Sequence, residues 1–170
     1  NAGGQQLGSV WGHGSYVAPD WSADWLHREA LAYRDILARK TYGGPFESLS
    51  TPQRGAIEAR LKQEFRRNTY DEATGIITVS SERAQAIAAV RGHFEGVFGD
   101  APALAKLREQ YAMPDNVLPK AEDRRALSSF FFWSAWSAAT DRPGEKGLSY
   151  TSNWPHEPLV GNSLTASASL

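Results

Sequence analysis

Four histidines, one methionine, scattered serines and nineteen carboxylates are the reactive side chains of a sequence that has no cysteine. Without cysteine there is no disulfide, thiolate metal site, cysteine nucleophile or covalently attached c-type haem. His13, His27, His93 and His156 lie in different stretches, and no two have the spacing of a ligand pair, so no metal site built from histidine alone is expected. No serine stands in the Gly-x-Ser-x-Gly setting that exposes a nucleophile at a strand-to-helix turn. The carboxylates alternate with Lys and Arg, as in EARLKQEFRR from Glu58 to Arg67. That pattern reads as a solvated helix face, and spacing alone singles out no acid–base pair. GGQQLGSVWGHG, from Gly3 to Gly14, is glycine-rich, but no predicted strand precedes it and it carries no Gly-Lys-Ser/Thr, so it does not read as a phosphate cradle. What remains is GHGSYVAPDW, Gly12 to Trp21, where small residues surround one His and one Tyr just ahead of a helix. Such a loop either lets backbone approach a ligand closely or only turns the chain. The residue types leave both readings open.

The elements that would position these residues are mostly helical. Residues 1–19 read as loop. Asp20 is a plausible N-cap, and Leu26, Ala30, Tyr33 and Leu37 recur at helical spacing up to about Lys40, with Trp25 and Ile36 widening the stripe. TYGGPF ends that helix. A second opens at Thr51-Pro52, with Thr51 as cap and Ile57, Leu61 and Phe65 inward. NTYDEATGIITVS, residues 68–80, changes period around Thr74-Gly75 and predicts a small hairpin insertion. Ser80 or Ser81 caps a third helix to about Phe98, burying Ile87, Val90, Phe94 and Val97 or Phe98. Asp100 is expected to cap a short fourth through Leu104, Leu107 and Tyr111. A long helix runs from about Lys120 to Thr140, and a proline-bearing irregular arm follows from Asp141. The fold class is mainly α.

Bulk properties narrow the partners. Hydrophobic residues make up 41%, and 18 basic against 19 acidic side chains leave a net charge of −1. That balance argues against a nucleic-acid platform. The longest apolar run, SSFFFWSAW, is too short to span a bilayer. Phe130, Phe131, Phe132, Trp133 and Trp136 fall within seven residues and cover nearly every side of one helix. They make either an aromatic core with a covered satellite, to which Trp154 would add, or a contact surface for a partner or a membrane interface.

LGSVWGHGSYVAPDW, leading into a helix, resembles the cytochrome c subunit of bacterial nitric oxide reductase. In that family a Cys-x-x-Cys-His haem-attachment motif precedes a loop of the form Gly-x-Gly-x-Tyr-x-Ala-Pro-acid. Gly12, Gly14, Tyr16, Ala18, Pro19 and Asp20 match the loop, whereas Gly4, Leu7 and Gly8 stand where the two cysteines and the histidine would be. MPDNVLPKAEDRRALSSFFFWSAW resembles the segment that carries the family's axial methionine, which puts Met113 at the ligand's place. AATDRPG and TSNWPHEPLVGN resemble the end of the soluble region. With these flanks and no haem motif, the chain resembles the soluble N-terminal region of quinol-dependent nitric oxide reductase.

The resemblance implies a haem-less, cytochrome c-like helical domain over residues 1–162, and a tail at 163–170 leading toward a membrane segment. It implies a cap on the polypeptide's own membrane-embedded catalytic part, at the periplasmic side of the cell membrane. Quinol would deliver the electrons, so no soluble cytochrome donor is required, and this segment itself is expected to be non-catalytic. No cofactor is expected within it, while haem b, non-haem iron and calcium belong to the whole protein. In the related cytochrome the Gly-x-Tyr part of the loop gives oxygen ligands to calcium, which implies Gly14 and Tyr16 here. Met113 becomes a vestigial axial position. The vacated haem volume must be refilled, with Leu7, Trp11 and nearby Phe residues as candidates, because an apolar void of that size is strongly destabilising. The competing reading is a free-standing helical binding module that uses its aromatic surface.

Overall fold

The computed structural model describes residues 9–10, 13–14, 20–151 and 156–162. The chain is mainly helical, a cytochrome c-like helical domain with a small hairpin insertion. Helix α1 spans Trp21–Tyr42; Asp20 Oδ1 accepts from the Ser22 and Ala23 amides at 2.9 and 3.0 Å. It ends at Gly43, whose φ of 77° favours a residue without a Cβ. Helix α2, Thr51–Arg66, begins one residue earlier than its Thr-Pro signal suggests. Ser50 is the cap, its backbone N–H donating to Gln53 Oε1 at 2.9 Å, so Pro52 sits within the first turn, where no amide is needed. Helix α3, Ser81–Phe98, is capped by Ser80, and helix α5, Ala121–Ala139, lies between Lys120 and Thr140 as expected.

Two expectations need correction. Asp100 does not cap the fourth helix: a 3₁₀ turn at Pro102–Leu104 intervenes, and helix α4 is only Ala105–Gln110. Pro102 starts that tighter turn, and the Ala101 carbonyl accepts from Leu104 N–H at 3.0 Å. The N-terminal stretch is not all loop either. Strand β1, Ser9–Val10, pairs antiparallel with β2, His13–Gly14, with Val10 opposite His13. The sequence between them is Trp11-Gly12, and a two-residue connection bearing glycine is a hairpin signal. The expected hairpin further on is present as β3, Tyr70–Asp71, against β4, Ile76–Ile77. Its turn is built by Asp71, which accepts from the Ala73 amide and the Thr74 hydroxyl, both at 2.9 Å.

Helix α1 is the axis of the domain, packing against α3, α5 and α2, with β1 also against it. The predicted stripes are the buried ones: Trp25, Leu26, Ala30, Tyr33 and Leu37 on α1, Ile57, Leu61 and Phe65 on α2, and Val90, Phe94, Val97 and Phe98 on α3. Into this core is set an ion pair. Arg83 Nε donates to Glu29 Oε1 at 2.7 Å, and Trp25 Nε1 donates to Glu29 Oε2 at 2.7 Å. Glu29 is 0% and Arg83 2% exposed. The guanidinium also lies 4.1 Å over the Phe65 ring and donates through Nη1 to the Glu64 carbonyl at 3.2 Å. Only its Nη2 lacks a partner.

The C-terminal arm returns to the helices. Residues 158–160 form a 3₁₀ turn against α2, with Val160 fully buried. His27 Nδ1 on α1 donates to Glu157 Oε2 at 2.7 Å, and Asn162 Nδ2 donates to the Ala138 carbonyl of α5 at 3.2 Å. Arg66 of α2 donates through Nη1 to Asn162 Oδ1 at 2.9 Å. Residues 163–170, and Trp154 with its expected packing on the α5 aromatics, lie outside the described residues.

Breaking the buried pair from one side strands a charge. Arg83→Met is expected to destabilise the protein by roughly 3–5 kcal/mol in urea unfolding, because a buried carboxylate loses its counter-charge. Adding Glu29→Gln, which still accepts from Trp25, should recover most of that loss. A half-buried pair, with Lys40 exposed and Glu82 covered, sets a pH dependence. Lys40, and then the Ser81 hydroxyl, hold the Glu82 carboxyl at about 2, below the usual 4.5. Its depressed value means the contribution is complete above about 4.5 and is lost as pH falls toward about 2. Urea midpoints followed across that window should fall less steeply for Lys40→Met than for the unaltered protein.

Candidate functional site: the methionine loop and the N-terminal hairpin

The segment expected to carry a vestigial ligand is built around one buried arginine. Arg108, on α4, donates through Nη1 to the Gly96 carbonyl and through Nη2 to the Ala101 carbonyl, each at 3.1 Å. These contacts satisfy carbonyls near the end of α3 that the helix itself leaves open. Its Nε donates to Asp115 Oδ1 at 2.6 Å, which ties the loop after Met113 to the same point. Two left-handed residues shape the loop, Ala112 with φ 50° and Asn116 with φ 54°. Between them the Met113 amide donates to the Arg108 carbonyl at 2.9 Å. The Asn116 and Leu118 amides then donate to Gly99 and Phe98 at 2.7 and 3.0 Å.

This scaffold delivers Met113 into the hydrophobic core, at 6% exposure. Trp21, the first residue of α1, is the hub of the rings in that core. Its centroid lies 5.8 Å from Phe94, 5.4 Å from Phe98, 5.8 Å from Tyr111 and 5.7 Å from Phe131. Phe94 further stacks on Trp25 at 5.3 Å and meets Phe131 at 5.3 Å. Aromatic pairs at such separations add to the area they bury. Burial raises the Tyr111 phenol above its ordinary value, with Asp24 contributing in the same direction.

The predicted residues divide accordingly. Met113 lies with the aromatic rings of α1, α3 and α5 in one core. Gly14 lies in β2, opposite Ser9, and Val10 of the same hairpin packs against the core. Gly4, Leu7, Gly8, Trp11 and Tyr16 lie outside the described residues. Of the histidines, His27 holds the arm through Glu157, and His156 is exposed. His93 meets Phe94 edge-on at 5.4 Å. Burial lowers its pKa, and Arg28 acts in the same sense. Among the described residues no group of three or more His, Asp or Glu could hold a metal ion.

Sequence reasoning missed Trp21, Glu29, Arg83 and Arg108. Trp21 had only its place after an N-cap to mark it. Glu29 looked like any other helical carboxylate. A spacing of four from Trp25 was the available hint, since an indole N–H needs an acceptor when buried. The site as a whole offers close-packed rings, a thioether and carbonyl-capping guanidinium groups. A covalently attached c-type haem does not fit these residues, because the chain has no cysteine for a thioether bond. No helix among the described residues is long and apolar enough to cross a membrane.

Replacing Met113 by Leu keeps volume and polarity and is expected to change stability by less than about 1.5 kcal/mol. Trp21→Ala removes the hub and should cost roughly 3–5 kcal/mol in the same urea titration.

No curated protein matches the chain. The family model described as the cytochrome c-like domain of the NorB subunit of nitric oxide reductase matches residues 1–156.

Proposed function

The chain belongs to the NorB cytochrome c-like domain family of nitric oxide reductase, and we propose that it caps the membrane-embedded catalytic part of a quinol-dependent enzyme from the periplasmic side. The observation that carries this reading is a match to a cytochrome c-like family in a chain that has no cysteine anywhere in its sequence; Gly4, Leu7 and Gly8 would stand at the haem-attachment positions. A domain without covalent haem cannot relay electrons from a soluble donor through such a group. Electrons must then enter where a lipid-soluble reductant resides. The overall reaction balances on that donor: two nitric oxide molecules, two electrons and two protons give nitrous oxide and water. Oxidation of one quinol to quinone supplies both electrons and both protons. Haem b and non-haem iron, outside this chain, would carry the chemistry.

In this reading Met113 has no ligand role, and its burial among the rings supports a structural one. Aromatic packing around Trp21 fills volume that a macrocycle would otherwise occupy. The domain's own contribution to the active region would come through the N-terminal loop. Gly14 and Tyr16 would lend oxygens to a calcium ion near the haem groups, completed by a carboxylate and propionates of the membrane part. Glycine beside the donor backbone permits close approach, and calcium accepts carbonyl ligands readily.

The deciding assay is nitric oxide consumption by the intact polypeptide in detergent, supplied with either a reduced quinol or a reduced soluble cytochrome c. Turnover is expected with quinol alone; turnover with the cytochrome alone would overturn the proposal. Calorimetry on the isolated chain is expected to give weak calcium binding or none. A tight site there would contradict a shared one.

A further inference from the structure

Helix α5 buries Phe131 and turns other aromatic side chains outward. Phe130 is 47% and Trp133 46% exposed, and Tyr70 and Tyr150 stand half-exposed nearby. Tyr70, Glu72, Trp133, Trp136, Ser137 and Tyr150 line a cleft of about 410 Å³ between the β3–β4 hairpin, α5 and the arm. Trp136, 4% exposed, lies deepest of its four rings. Its ring is 5.9 Å from Tyr150 at an interplanar angle of 25°, and 6.4 Å from Tyr70 at 55°. The walls are held in place rather than loosely apposed. Asn68 Nδ2 donates to the Tyr150 hydroxyl at 2.7 Å and to the Asp141 carbonyl at 3.1 Å. The Tyr150 amide donates to the Ser137 carbonyl at 3.1 Å.

Two features of the cleft are unmatched. The Trp136 indole N–H is buried without a hydrogen-bond acceptor, and buried indole N–H groups usually find one. Glu72 is the sole formal charge among the described lining residues, and no basic side chain pairs with it among the described residues. Ring faces carry negative electrostatic potential and attract cations within about 6 Å of their centroids. A carboxylate beside several ring faces therefore makes a cleft complementary to positive charge. Ammonium and metal ions hold their water tightly, whereas a methylated ammonium is weakly hydrated and large enough to touch several rings at once.

We propose that this cleft binds a quaternary ammonium group, of the trimethylammonium type. The methyl groups lie against Tyr70, Trp133 and Tyr150, Glu72 balances the charge, and an oxygen on the ligand gives Trp136 Nε1 the acceptor it lacks. A free small molecule and a choline lipid headgroup both present this chemistry.

The test is calorimetric titration of the intact polypeptide, in a sugar-headgroup detergent, with tetramethylammonium, choline and glycine betaine. Saturable one-to-one binding is expected. Trp133→Ala should weaken it roughly three- to fivefold, the effect of losing a half-exposed cation–π contact, and Glu72→Gln should weaken it about as much by removing the counter-charge. Tyr70→Leu, on the hairpin surface, gives a second variant that leaves α5 untouched. Tyr42→Ala, 40% exposed at the C-terminal end of α1 and outside the cleft, should leave affinity unchanged. Co-sedimentation with phosphatidylcholine vesicles, but not phosphatidylglycerol vesicles, and release by choline would assign the headgroup. Choline binding without sedimentation would assign the free molecule. No saturable heat with any of the three ligands overturns the proposal, and so does a loss in Tyr42→Ala equal to that in Trp133→Ala.

Discussion

A charge buried without water around it must have a partner, and in this domain that requirement fixes the relative placement of the helices. Glu29 and Arg83 can share the interior only if α1 and α3 lie side by side at one height. The same guanidinium covers Phe65 and reaches the Glu64 carbonyl, which brings the C-terminal part of α2 to the pair. On the opposite oxygen, Glu29 holds the Trp25 indole, and that ring stacks on Phe94 and meets Phe132 of α5 at 6.3 Å. One carboxylate thus bears on four helices. Replacing it with apolar packing could be neutral for stability, but apolar side chains would accept several slides of α1 along α3, and the forked pair accepts one.

The second consequence concerns the core beside Met113. Indole and phenyl rings fill an apolar interior well because they are flat, rigid and large. Trp21 stands at the first position of α1, where Asp20 fixes the helix start and hence the ring's height. Arg108 does the corresponding work for the methionine loop, holding it against α3 through backbone carbonyls that no ligand has to supply.

Much of this frame could be read from the sequence because its causes are local. Asp20 and Gly43 bracket α1, the Leu26 to Leu37 stripe shows its inner face, and Thr74-Gly75 announces the hairpin. The missed features have distant causes. Glu29 is buried because of an arginine 54 residues away, and no window around Glu29 contains that fact. Arg108 resembles a surface residue of a short helix until its loop folds back over it. The pairing of Ser9–Val10 with His13–Gly14 was hidden in a stretch whose glycines looked like loop composition. As for the site, the sequence marked Met113 but not Trp21, the hub of the aromatic rings in the same core. Tryptophan at a helix start has no periodicity to betray its burial.

The arm at residues 156–162 also sets how the domain responds to tension. Asn162 is bonded at once to α5 through the Ala138 carbonyl and to α2 through Arg66, while Glu157 grips α1 through His27. A pull applied at Asn162 therefore does not peel a loose end away residue by residue. It is divided among α1, α2 and α5, and several hydrogen bonds must shear together before Val160 leaves the core. The segment acts as a strain relief, like the clamp where a cable enters its housing, and shields the helical core from a pull at its end.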